Sequence, residues 1–291
     1  MTSPIDRRRF VQASGLALAG ATAPALVSRT SPAVAAEPGP RFRKALGYAM
    51  IQEDLSVEDK LRMIKDVGFE GVEVSTQLLK RKTPEPEVLA RAAEKVGVQV
   101  HGVVNSSHSD LKAAIDEAAV YGATSVLHVV RAASEGSFME NYRSTQETIR
   151  QAIPHAEKKE IHVLIENVWA TFLIEPLTMA RYIDELDSPF VKAYFDVGNV
   201  VRWGWPQHWI EVLGKRVGKI HVKEYNLKVA MQEGMIKGFA FPLGEGSIDW
   251  PRVREELAKI DYRGWATAEV QGGDRKRLAD ISQQMDRVLD L

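Results

Sequence analysis

Three carboxylates and one histidine stand at or near the ends of short apolar runs. Glu166 closes His162-Val-Leu-Ile-Glu166, Asp196 closes Ala193-Tyr-Phe-Asp196, His221 lies in Gly218-Lys-Ile-His221-Val, and Glu269 follows Trp265-Ala-Thr-Ala. Charge at the tip of a buried strand is costly unless something compensates it. Taken singly, each acid is more often a helix cap or loop ion pair than a ligand, and His221 more often a hydrogen-bonded core residue. Together they point to one cation, because three like charges converge only around a positive partner. Three hard oxygens and an imidazole suit Mn2+ best, then Mg2+ or Co2+; Zn2+ is less natural with so many carboxylates. The expectation is one divalent ion held by Glu166, Asp196, His221 and Glu269.

The elements that would carry these residues alternate in type. Strand patterns fall at 45–50, 71–75, 98–104, 125–130, 162–166, 191–196, 218–222 and 264–270, mostly continuous apolar runs of the kind buried on both faces. Amphipathic stretches lie between them at 57–67, 86–96, 111–121, 138–159, 177–186, 207–213 and 250–260, with a last helix at 274–289. Ser56, Asp110 and Asp249 sit where helix N-caps are expected, and Gly68, Gly97 and Gly122 where helices stop. Eight such pairs predict a single-domain (β/α)8 TIM barrel. The rival, a doubly wound open sheet, would want a glycine-rich phosphate loop after the first strand, and Met50-Ile-Gln-Glu-Asp54 is not one. In a barrel the four candidate ligands share one face, the C-terminal ends of strands five to eight.

Other residues on that face are candidates for holding a substrate. Glu73 lies on the second strand and His101 on the third; Lys223 is two residues past His221. His128, in the fourth run, reads as core or as support for the site. Trp169, Trp203 and Trp205 could form a stacking wall for a substrate ring, although aromatics beside barrel strands are more often packing. The long connection from Tyr225 to Ser247 carries four glycines and reads as a lid or binding loop.

The segments around Glu166, Asp196, His221 and Glu269 resemble those of the xylose-isomerase-like barrel superfamily, within it the sugar-phosphate isomerases/epimerases and ketose 3-epimerases. Pro242-Leu-Gly-Glu-Gly-Ser-Ile-Asp-Trp250 and Tyr262-Arg-Gly-Trp265 add to the likeness, which spans about residues 45–291. The resemblance implies that a sugar chelates the ion through its carbonyl and adjacent hydroxyl, and that Glu166 and Glu269 exchange a proton through an enediolate. Three positions depart from the ketose epimerase pattern: Phe172 replaces a glutamate, Asn199 a histidine and Leu227 an arginine. All three contact the sugar in that family, so Asn199 and Lys223 become candidates to bind it in another way. A lyase or hydratase acting on exported 3-keto-glycosides fits the same barrel. A non-catalytic sugar-binding barrel would not need both acid/base glutamates. The superfamily's three-zinc DNA-repair endonucleases (AP-endonuclease-like) need a histidine where Asn199 stands.

Residues 1–36 read differently from the rest. Arg7-Arg8-Arg9-Phe10, a weakly apolar stretch from Ala13 to Val27 and Ala33-Val-Ala35 together resemble a twin-arginine export signal. The expected division is an export and processing region at 1–36 and a barrel at 37–291, working in the periplasm or outside the cell. The apolar stretch is too short and too rich in glycine and alanine for a membrane span. A formal net charge of -1 offers no basic face for nucleic acid. With no cysteine, an exported chain must rely on its core and bound ion. The expected partner is a small carbohydrate, with neither nucleic acid nor, after processing, membrane; a homo-oligomer is compatible with the sequence.

Overall fold

The computed structural model describes residues 41–169 and 172–291; the expected export segment at 1–36 lies outside them. The strands are β1 Phe42–Gly47, β2 Gly71–Ser75, β3 Gln99–Ser106, β4 Ser125–His128, β5 His162–Glu166, β6 Val191–Asp196, β7 Val217–Val222 and β8 Gly264–Ala268. The helices are α1 Val57–Asp66, α2 Pro86–Val96, α3 Leu111–Tyr121, α4 Phe138–Arg150, α5 Ile153–Lys159, α6 Pro176–Asp184, α7 Pro206–Leu213, α8 Leu227–Glu233, α9 Trp250–Lys259 and α10 Arg275–Leu289. Each strand pairs in parallel with the next, and β1 pairs with β8, closing the sheet. This is the (β/α)8 barrel that the alternating pattern predicts. Val72, Val74, Val163, Ile165, Phe195 and Ile220 join Leu61, Ile64, Leu89 and Ile115 of the helices in one apolar core. That core lies between sheet and helices, which is why the strands read as unbroken apolar runs.

Local chemistry sets the helix ends. The side chains of Ser56, Asp110 and Asp249 accept from the backbone N–H three residues on, at 3.1, 3.0 and 3.2 Å. Gly97 and Gly122 close α2 and α3 with φ of 72° and 67°, where a Cβ would be strained.

Several elements differ from the sequence reading, three of them in kind and not only in their ends. β1 begins earlier and ends at Gly47; Tyr48–Met50 form a 3-10 turn and Ile51 bridges to Gly273. Tyr48, Met50 and Ile51 are buried all the same, so their apolarity reported burial and not strand. The single helix expected at 138–159 is two, because Pro154 lacks the N–H that would continue the ladder through Gln151 and Ala152. The connection from Tyr225 to Ser247 is not an open loop: it contains α8 and a 3-10 turn, Met235–Phe239. No helix among the described residues is long and apolar enough to cross a membrane.

That connection is fastened by a buried acid. Glu224 accepts from the Gly244 N–H at 2.7 Å, the Trp250 Nε1–H at 3.0 Å and the Tyr225 N–H at 3.1 Å. Gly246 packs so closely on this carboxylate that a Cβ there would stand 2.3 Å from an oxygen. Glu224→Ala would strand buried donors, and we expect a loss of about 3 kcal/mol in urea unfolding. A loss below about 0.5 kcal/mol would mean that the connection holds its shape without the acid.

Candidate metal centre

Glu166 and Asp196 are the last residues of β5 and β6, His221 is the penultimate residue of β7, and Glu269 is the first residue beyond β8. Each offers one ligand atom, and the four atoms lie within 4.8 Å of one another. The sequence pattern therefore assembles as expected. His221 Nδ1 faces Glu166 Oε1 at 3.0 Å, Glu269 Oε2 at 3.3 Å and Asp196 Oδ2 at 3.8 Å. Glu166, Asp196 and His221 are buried and Glu269 is the most open. Asp196 Oδ2 is sealed from solvent, and its contact is an ion pair with Lys223 without hydrogen-bond geometry. Such an oxygen, among two more carboxylates and an imidazole, fits a divalent cation.

One feature competes with that fit. Lys223 Nζ stands 2.8 Å from Glu269 Oε2, 3.0 Å from Asp196 Oδ2 and 3.3 Å from Asn199 Oδ1. An ion drawing on both carboxylates must take over part of what this ammonium does. Burial opposes the charge on Lys223, but Asp196 and Glu269 outweigh it and hold the ammonium protonated well above the usual lysine range. Burial likewise opposes charge on His221, yet Glu269, Glu73 and Glu166 push it well above its ordinary value. Burial raises Glu166 to about 7. Glu269 is pulled up by desolvation and, more strongly, down by Lys223 and His221, to about 2.

The other candidates divide by depth. Trp169 is locked beside the cluster, its Nε1–H donating to the Asn199 carbonyl at 2.7 Å and its ring meeting Tyr225 edge-on at 5.6 Å. Trp203 is exposed under the Arg202 guanidinium, 4.7 Å from the ring centroid, and Trp205 is exposed as well. Trp169, Asn199 and Trp203 line one narrow cleft with Asn167. Phe172, at the position of a sugar-contacting glutamate in the resembled family, is buried against Tyr142 and Tyr182. Leu227 opens α8.

Glu73 and His101 do not face the mouth. Glu73 lies on the inner side of His221, with Oε1 3.0 Å from His221 Nε2. His101 is deeper still, stacked on Trp265 with ring centroids 4.6 Å apart. His128 is also buried, and its Nδ1 has no hydrogen-bond partner.

His101 belongs to a polar column inside the barrel, where such folds usually pack branched apolar layers. Its Nε2 meets Thr267 Oγ1 at 3.1 Å, and Thr267 in turn accepts from Tyr194 at 3.0 Å. Lys219 Nζ lies 3.1 Å from His101 Nδ1 and donates to Ser125 at 2.7 Å. These contacts join strands that are not neighbours, so the side chains meet across the lumen. Burial lowers Lys219 to about 7, against the opposing pull of Glu73. An unfolded lysine titrates near ~10.4, so the unfolded chain binds the extra proton between those two values. Stability should therefore rise with pH from about 7 toward ~10.4, by at most ~1.4 kcal/mol per unit, relative to Lys219→Met. Parallel urea-unfolding curves for the two proteins over that window would contradict it.

Two participants escaped the sequence reading. Asn167 bonds Asp196 twice, its Nδ2–H donating to the Asp196 carbonyl at 2.8 Å and its Oδ1 accepting from the Asp196 N–H at 2.9 Å. Lys219 shares the inward face of β7 with His221, and Lys223, one residue beyond the strand, continues the two-residue period. That period was the signal that could have found it.

Known proteins share this architecture. A protein of Escherichia coli strain K12, provisionally named as an L-ribulose-5-phosphate 3-epimerase, is 24% identical over 249 residues, 77% of this chain and 85% of its own length. The inosose dehydratase of Histophilus somni is 29% identical over 129 residues, 40% of this chain and 43% of its own. The crystal structure of 3-keto-D-glucoside 4-epimerase from E. coli superposes with a TM-score of 0.68 at 16% identity, covering 86% of this chain and all of the other. The family model described as Xylose isomerase-like TIM barrel matches residues 61–290. The chain thus belongs to the xylose isomerase-like TIM barrel family.

Proposed function

We propose that the protein is a divalent-metal-dependent carbohydrate isomerase or epimerase, in which Glu166 and Glu269 move a proton through an enediolate. The observation that supports this most is the gathering of three carboxylates and an imidazole, from four consecutive strands, within 4.8 Å. Glu166, Asp196, His221 and Glu269 would hold the ion, which when bound stabilises negative charge on adjacent substrate oxygens. Mn2+ is the first candidate by donor hardness, ahead of Mg2+, Co2+ and Zn2+. The remaining chemistry belongs to the side chains. Glu166 and Glu269 enter from strands with β6 and β7 between them, so the two acids can address different sides of one carbon. Removal by one and return by the other inverts the carbon; return by the same acid to the neighbouring carbon moves the carbonyl. Lys223 is placed to donate to a substrate hydroxyl or carboxylate, and Trp169 with Trp203 to flank a sugar ring.

A second reading, elimination of water or an alcohol from a keto-sugar, draws on the higher identity to an inosose dehydratase over part of the barrel. It needs the same proton abstraction, followed by loss of a leaving group from the next carbon. Both readings are tested by chelating the protein, restoring Mn2+ and following keto-sugars in D2O by proton NMR. Deuterium entry without loss of mass supports isomerisation or epimerisation, and an unsaturated product supports the lyase. No exchange with any keto-sugar by protein that binds Mn2+ would overturn both.

The same proposal places the mature protein, residues 37–291, outside the cytoplasm after export by the twin-arginine segment at 1–36. Changing Arg7, Arg8 and Arg9 to lysine should then leave the full-length chain in the cytoplasm. Unchanged export would reject that assignment.

A further inference from the structure

Glu73 and His221 meet across the lumen, from β2 and β7, and both are buried. The two imidazole nitrogens face different groups. Nε2 points to Glu73 Oε1 at 3.0 Å, while Nδ1 faces the three carboxylates of the cluster. An ionised carboxylate can only accept, so the Glu73 contact requires the proton on Nε2. In the neutral ring Nδ1 then carries the lone pair, directed where an ion would sit. Tyr194 packs on the same ring, with centroids 4.2 Å apart, and limits its rotation.

We propose that Glu73 is a positioning residue that fixes His221 in the orientation and tautomer presenting Nδ1 to the divalent ion; the inference rests on reading the four-residue cluster as that ion's site. Glu73 touches neither the ion nor the substrate, because the imidazole stands between it and the cluster. Its second oxygen, Oε2, is sealed and lacks a hydrogen bond. Oε2 and Lys219 Nζ both border the space beside Gly102, where an added Cβ would lie 3.5 Å from the first and 3.4 Å from the second, and Glu73 favours the protonated form of Lys219 against burial. Lys219 on one side and His221 on the other thus offset the charge of Glu73. A contact that served only to hold β2 against β7 would be made at least as well by an apolar pair, which has no desolvation penalty to offset. What an apolar pair cannot do is choose which ring nitrogen is bare.

The test uses the full chain, stripped of metal, with Co2+ as probe. Glu73→Leu should weaken Co2+ binding by about 10–100-fold and alter the visible absorption of the bound ion. Glu73→Gln keeps an oxygen able to accept from Nε2–H, and its loss of affinity should be smaller. A purely structural role predicts something else: both variants melt at lower temperature, while the affinity and spectrum of the folded protein stay as in the wild type. That result would overturn the proposal. Should Glu73→Leu fail to fold, Glu73→Ala, which also removes the acceptor, decides in its place, and a Co2+ affinity equal to that of the wild type rejects the proposal. Wild-type protein that binds no Co2+ would instead overturn the ion reading, and this inference with it.

Discussion

Glu269→Gln is expected to lower solvent-proton exchange into a keto-sugar by about 10²–10⁴-fold, the usual contribution of a positioned acid or base. Mn2+ should bind more weakly as well, because the amide brings no charge to the ion. The fold should stand, since Glu269 lies just beyond β8 and is the most open of the four clustered residues. Lys223, released from Glu269, keeps Asp196 and Asn199 as partners. Thermal unfolding of the metal-free variant is the control: an unchanged melt with lost exchange assigns the effect to chemistry. Retention of half the exchange rate would remove Glu269 from proton transfer.

Lys223→Met should have opposite effects with and without the ion. In metal-free protein the ammonium is the cation nearest Asp196, whose side chain is fully buried. Removing it leaves buried negative charge unmatched, a loss of about 3–5 kcal/mol. Added Mn2+ would supply the missing charge, so it should raise the melting temperature more in the variant than in the wild type. The ion would no longer compete with an amine for Asp196 and Glu269, and calorimetry should show at least ~10-fold tighter binding, equivalent to ~1.4 kcal/mol. Equal metal-free stability of the two proteins would show that Lys223 is not the counter-charge.

The barrel was legible in the alternation of strand and helix patterns, and the four clustered side chains in charged or imidazole groups at or near the ends of apolar runs. Glu166 and Asp196 end their strands, Glu269 follows its strand, and His221 lies one residue inside the end of β7. Depth was harder to read. His101 is assigned to the mouth if the third strand ends at Val104, but β3 runs on to Ser106 and its pairing with β4 shifts there. The residue therefore lies well below the rim. Glu73 is two residues short of the end of β2, beside another register shift, and ends on the inner side of His221. Strand counts alone do not reveal such irregularities. Pro154 did announce the break between α4 and α5, but the amphipathic pattern running through it was the louder signal. Asn167 was invisible for another reason, since a side chain that imitates backbone leaves no periodic trace.

That asparagine has a consequence for how the centre would fill. Its amide extends the β5–β6 ladder by one rung, so the spacing of Glu166 and Asp196 is built when the sheet forms. If the cluster is an ion site, those two acids would already be in place before the ion arrives. The rate of filling should then be governed by the shedding of water from the incoming ion and the swing of one lysine, and hardly at all by loop closure.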